Sequence, residues 1–133
     1  VLCTYPDLDM VRFYAFQATN NMPALLEYGD SRIPEHFDVI RQYSPYQAVR
    51  DGVDYPAVML ATGDLDTRVP PLQARRMTAR LQAATASGLP VILWYDARGG
   101  HAAGRGRPMT LRIEDTAREL TFMAQQLGLE AAN

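Results

Sequence analysis

The chain has 133 residues, 47% of them hydrophobic and 21% charged, with a formal net charge of −2. That is about one domain of ordinary globular composition, which sets aside intrinsic disorder, and the charge leaves no footprint for nucleic acid or an anionic membrane surface. No apolar run approaches the roughly 20 residues of a membrane-spanning helix, so a soluble chain of the cytoplasm or periplasm is expected.

All 13 basic residues are arginine, which removes Schiff-base, P-loop and Ser-Lys chemistry. The single cysteine, Cys3, removes an internal disulfide and a cysteine-built metal site, and its apolar setting predicts a buried core thiol.

Val1 to Tyr5 ("VLCTY") reads as a short buried strand stopped by Pro6. A chain that opens in mid-strand is expected to be a piece of a longer protein. Asp9 to Phe16 follows as a short helix, with Met10, Phe13 and Ala15 or Phe16 on its apolar side. "PALLEYG" supplies one or two helical turns ended by Gly29. "IPEHFDVIRQYSP" places Pro34 at an early helical position, repeats Phe37, Ile40 and Tyr43 at a spacing of three, and stops at Pro45. "VRDGVDYP" is a surface turn.

"PAVMLATG", Pro56 to Gly63, is a continuous apolar strand bounded by Pro and Gly. The next helix enters at Pro70 and Pro71 and leaves by Gly88. Leu72, Met77, Leu81 and Ala84 form its expected core face, and Arg75, Arg76 and Arg80 its wet one. "LPVILWYDA" is a second apolar strand. The last helix runs through "LRIEDTARELTFMAQQLG", with Ile113, Ala117, Leu120, Ala124 and Leu127 as its expected core stripe and Gly128 as its stop.

Two continuous apolar strands, each followed by a helix, predict parallel strands buried on both faces. Without internal repeats or a linker, residues 1–133 form one α/β unit. Three strands with four or five helices amount to half of a doubly wound fold, with an unpaired sheet edge through which two copies could pair.

In an open parallel sheet, ligands and reactive groups collect just beyond the carboxyl ends of the strands. "ATGDLDTRVPP" brings Asp64, Asp66 and Arg68 to that edge, and "DARGGHAAG" brings His101. A carboxylate beside an imidazole is what nucleophilic acyl transfer needs: the first orients the ring and stabilises its cation, and the ring's far nitrogen serves as general base. In α/β-hydrolases the members follow as Ser, Asp, His, and the last two occur here in that order, 35 residues apart. The G-x-S-x-G elbow is absent, since Ser31, Ser44 and Ser87 all lack that setting. Read alone, Asp64 and Asp66 serve equally well as caps for the helix after Pro70, and Tyr28 as a core aromatic. His36 reads as structural or exposed, and no HExxH-type spacing accompanies either histidine.

"YPAVMLATGDLDTRVPPLQARRMTARLQ" followed by "GGHAAGRGRP" resembles the C-terminal catalytic region of the prolyl oligopeptidase family of serine peptidases. "PDLDMVRF", "EYGD" and "HFDVIRQYSPYQAV" agree with it upstream in colinear order. The resemblance implies the C-terminal half of an α/β-hydrolase fold. Asp66 matches the family's triad aspartate and His101 its triad histidine. Arg68 matches the arginine that bonds the substrate's peptide carbonyl, Val69 a wall of the S1 pocket, and Tyr28 an aromatic lining that pocket. At the place of the tryptophan that stacks on substrate proline stands Ala24, a departure that leaves room for a wider or differently filled pocket.

The implied activity is hydrolysis of short peptides after proline, with neither metal nor organic cofactor. An acylaminoacyl peptidase or an esterase of the same fold is the enzymatic alternative. The implied partners are a peptide substrate and the rest of a parent chain, because the nucleophile elbow and the family's β-propeller lie outside these residues. With two thirds of a triad, the chain alone is expected to be inactive, or to act only as a folding or oligomerising piece.

Overall fold

The computed structural model describes residues 1–16, 22–101 and 107–129, with the side chains of Phe16 and of residues 22–24 left aside. Strands β1 (Leu2–Thr4), β2 (Val58–Gly63) and β3 (Val91–Asp96) form one parallel sheet in the order β1-β2-β3. Leu2 lies opposite Met59, Val58 opposite Val91, and Gly63 opposite Asp96. β2 is buried along its whole length, as a central parallel strand covered on both faces must be.

Side chains alternate across β2. Val58 and Leu60 pack on Ala74, Met77 and Leu81 of helix α5 (Leu72–Ala84). On the other face, Ala57 and Met59 meet Phe122 of helix α6 (Met109–Leu127), with Trp94 and Met123 beside them. Each valine, leucine, methionine or phenylalanine side chain so buried stabilises the fold by about 1.5–3 kcal/mol.

The connection from β1 to β2 carries a 3₁₀ turn (Met10–Arg12) and four short helices: α1 (Phe13–Phe16), α2 (Met22–Tyr28), α3 (Pro34–Tyr43) and α4 (Pro45–Ala48). Met10, Phe13 and Ile40 make a satellite core there. Gly29 ends α2 with φ 89°, a left-handed value open to glycine, and the ring of His36 packs against it. His36 Nδ1 accepts the Asp30 N–H at 3.1 Å, so this exposed histidine holds the α2–α3 turn. No helix among the described residues is long and apolar enough to cross a membrane.

Two helices sit differently from their predicted faces. In α5, Leu72 is exposed, and Gln73 is buried in its place. The Gln73 carbonyl oxygen accepts the amides of Leu8 and Asp9 at 3.2 and 2.7 Å, so the helix turns a polar side chain inward to satisfy a loop. Arg76 is likewise not a wet residue. It donates to the buried Asp9 carboxylate and lies over the Tyr46 ring at 4.4 Å. In α6 the stripe of Ile113, Leu120 and Leu127 faces outward, each residue more than half exposed, and only Phe122 is fully buried. This helix is apolar on two sides. The sheet takes the side where Arg118 can also lie over Trp94, its guanidinium carbon 3.8 Å from the ring centroid. Gly128 ends α6 in the left-handed region, as its place in the sequence predicts.

Candidate active site

Because all three strands run the same way, the loops after β1, β2 and β3 leave the sheet at one edge. The register of β2 and β3 ends at Gly63 opposite Asp96, so their loops start level and run together. Asp64 N–H donates to the Asp96 carbonyl and Leu65 N–H to the Gly99 carbonyl, both at 2.9 Å. A Cβ on Gly63 would lie 2.2 Å from the Gly99 oxygen, so this crossing requires glycine.

One residue past Leu65, the Asp66 side chain is fully buried. Its Oδ1 accepts the backbone N–H groups of Arg68 and Val69 at 2.8 and 2.9 Å, a turn that leads into α5. Its Oδ2 lies 2.9 Å from Nδ1 of His101. One carboxylate thus shapes its own loop and holds the imidazole of the next.

Bonded through Nδ1, the ring presents Nε2 to any reacting group, and Nε2 makes no hydrogen bond among the described residues. The His101 side chain is 28% exposed, open enough on one side to be reached. The Tyr5 ring covers another side, 5.3 Å away centroid to centroid. Tyr5 holds φ at 50°, an unfavourable value for a bulky residue, and such strain collects at functional sites.

Of the other predicted residues, Val69 is buried and Arg68 is exposed, its guanidinium unpaired among the described residues. Asp64 is exposed and accepts the Tyr95 hydroxyl, a structural use. Tyr28 is exposed at the end of α2 and packs edge-on against Phe13 at 5.7 Å, and no bond or ring contact ties it to the Asp66–His101 pair. The side chain of Ala24 lies outside the described residues. All three serine hydroxyls are engaged elsewhere: Ser31 with the Val11 carbonyl, Ser44 with Met10 N–H and Gln47, and Ser87 with Thr85. Among the described residues no group of three or more His, Cys, Asp or Glu side chains converges on a point where one metal ion could sit.

Asp7, on the β1 loop, escapes the sequence reading. Burial first, and the charge of Asp66 second, push its carboxyl above the ordinary range, while His101 pulls the other way. Its Oδ1 is buried without a hydrogen-bond partner among the described residues. The rule that points to the carboxyl ends of β2 and β3 points equally to β1, and applied there it finds this residue. A native carboxyl with a raised value keeps its proton longer than the unfolded one, so stability falls as the pH rises through that window. Asp7→Asn should therefore raise the thermal midpoint near pH 7 and leave it unchanged near pH 2, where both states are protonated. A midpoint lowered near pH 7 would show that the ionised carboxyl is instead favourably held.

A parallel sheet with helices on both faces, and an aspartate and a histidine joined at its carboxyl edge in that chain order, define the C-terminal half of an α/β-hydrolase. The chain belongs to the prolyl oligopeptidase family, whose family model matches residues 1–130. It is 38% identical over 124 residues to a prolyl oligopeptidase of Dendrothele bispora, covering 91% of this chain and 16% of that protein. To a prolyl endopeptidase of Elizabethkingia miricola it is 33% identical, covering 92% and 17%. Prolyl oligopeptidase B from Galerina marginata superimposes with a TM-score of 0.88 at 29% identity, covering 99% of this chain and 18% of that one. The chain thus spans about one sixth of the length of the curated relatives it matches.

Proposed function

We propose that this chain supplies the aspartate and histidine of the Ser-Asp-His triad of a serine oligopeptidase that cleaves short peptides after proline. The observation that carries this reading is the 2.9 Å contact between His101 Nδ1 and Asp66 Oδ2, made by a buried carboxylate whose other oxygen is already held by two amides. In the catalytic cycle, His101 Nε2 takes the proton of a serine hydroxyl supplied from outside these residues as that oxygen attacks the scissile carbonyl. It then returns the proton to the leaving amine. Asp66 keeps the ring in the tautomer with its proton on Nδ1 and stabilises the imidazolium. Arg68, exposed and without a partner among the described residues, is the group for the substrate's peptide carbonyl, and Val69 forms the pocket wall next to it. Tyr28 is assigned to the same pocket by resemblance alone.

The relatives support this reading through what they are. Two are prolyl peptidases by name, and the Galerina marginata enzyme has been solved with a hydrolysis and macrocyclization substrate bound in forms that carry alanine in place of a serine and of a histidine. A second reading keeps the triad and changes the substrate to an acylaminoacyl peptide or an ester. Ala24 favours it, since no indole stands there to stack on proline.

Prolyl, acylaminoacyl and ester substrates tested in parallel on the protein carrying its nucleophile separate the two, and prolyl peptides are expected to turn over fastest. A faster ester or acylaminoacyl substrate selects the second reading. The chain by itself is expected to remain unlabelled by a fluorophosphonate, because each of its serine hydroxyls is bonded away from His101. Labelling at any of the three would sink the assignment of the nucleophile to an outside residue.

A further inference from the structure

The loop that carries His101 leaves β3 at Asp96, and Arg107 stands where the described chain resumes, just before α6. These two residues are joined. Arg107 Nη1 donates to Asp96 Oδ2, and Nη2 forms an ion pair at 3.3 Å with Asp115 Oδ2 on the second turn of α6. The side chains of all three are more than four-fifths buried. Asp96 Oδ1 accepts the Arg98 N–H at 3.0 Å, and Asp115 is held from its other oxygen by Arg118 at 2.9 Å. Burial works to raise the Asp96 carboxyl, yet the Arg98 amide and the Arg107 guanidinium outweigh it and hold the group below its ordinary value. An exposed arginine pair contributes little. A shielded guanidinium between two carboxylates favours one arrangement, here through a charge-assisted hydrogen bond to Asp96 and a charge contact with Asp115, whose Oδ2 has no hydrogen-bond partner among the described residues.

The clamp reaches the candidate pair through Gly99. A Cβ on that residue would lie 2.5 Å from Asp96 Oδ2 and 2.9 Å from Arg107 Nη1, so the backbone at Gly99 rests directly on the ion pair. The carbonyl of Gly99 takes the Leu65 amide, adjacent to Asp66, and His101 follows two residues later. A continuous path of contacts thus runs from α6 through Asp115, Arg107, Asp96 and Gly99 to both members of the pair.

We infer that Arg107 is a positioning residue for His101: gripped between Asp96 and Asp115, its guanidinium fixes both ends of the histidine loop and so the approach of the imidazole to Asp66. Its kinetic consequence rests on the triad reading above. Its structural consequence does not, and can be measured without activity.

The probe is the Nδ1-bound proton of His101 observed by NMR in the protein, with the Asp30 amide, which donates to His36 Nδ1 away from the strand ends, as an internal control. In Arg107→Met, which keeps the apolar stem, that proton should exchange with solvent about tenfold faster, as expected when a loop is freed to open locally, while exchange of the Asp30 amide is unchanged. Arg107→Lys, able to reach only one carboxylate as a point charge, should fall between. Unchanged exchange in a folded Arg107→Met protein overturns the inference. Should that variant fail to fold, Arg107→Lys and Asp115→Asn carry the test, and unchanged exchange in both overturns it equally. In the active enzyme, Arg107→Met should lower kcat by about 10- to 100-fold with little change in KM, the signature of a misplaced catalytic group. A loss confined to KM contradicts it. Failure of the triad reading looks different: His101→Ala would keep its turnover, while the exchange result for Arg107 would stand.

Discussion

On the triad reading, in a protein that joins this chain to a nucleophile, His101→Ala is expected to lower kcat by about 10⁴- to 10⁶-fold and to leave KM within a few-fold of its original value. His101 is the only histidine at the strand ends, and among the described residues no other base is held there by a buried carboxylate. His36, the one other histidine, is spent on the amide of Asp30. Substrate binding should survive, because the groups assigned to it, Arg68 and Val69, are fixed by the Asp66 turn and not by the imidazole. The thermal midpoint should fall modestly, since the buried Asp66 Oδ2 loses its imidazole partner while the two amides on Oδ1 keep the turn. Loss of the acylation burst with retained binding of a competitive inhibitor is the measurement. Turnover near normal would remove His101 from the mechanism.

Asp66→Asn is the more discriminating substitution, with an expected loss of about 10⁴-fold in kcat in a protein that still folds. The aspartate has two jobs on two oxygens. Oδ1 accepts the amides of Arg68 and Val69 and so shapes the loop into α5, and Oδ2 meets the imidazole. An asparagine keeps an acceptor for the two amides, which preserves the turn. Its NH₂ then faces His101 Nδ1 as a donor and forces the ring into the tautomer with its proton on Nε2, useless as a base toward a hydroxyl. Asp66→Ala should lose activity too, but with a lower melting point, because two buried amides lose their partner. Comparing melts and kcat for the two variants separates the turn from the chemistry. An asparagine variant of near-normal activity would leave Asp66 as a loop residue only.

The strands were legible in the sequence because a parallel strand covered on both faces is apolar without interruption, and Val58–Gly63, buried throughout, meets that condition. Val91–Asp96 carries the same apolar signal, yet it lies at the end of the strand order and is not buried on both faces as expected, with Ile92 exposed. The placement of Asp66 and His101 at one edge followed from the same pattern plus the rule for strand ends. Helix orientation was less legible. Periodicity reports which side of a helix is apolar and not which apolar side finds a partner, and α6 has two such sides. The side with the more regular spacing, through Ile113, Leu120 and Leu127, is the one left outside. Gln73 and Arg76 escaped for the opposite reason: polar side chains read as wet unless a buried amide or carboxylate waits for them, and the waiting groups, at Leu8 and Asp9, are more than sixty residues away in sequence. Tyr5 and Asp7 were missed because a three-residue strand draws little attention to its far end.

The contact of Gly63 with Gly99 has a consequence for how such a site tolerates change. Peptide planes meet there with no side chain between them, so the spacing of the two loops is set by the hardest parts of the chain and not by packing that a rotamer could relax. Heat that loosens side chains leaves that spacing nearly constant. Mutational drift meets the same stiffness: Gly63 cannot acquire even a methyl group unless the loop of Gly99 moves as well, which ties the histories of two segments lying far apart along the chain.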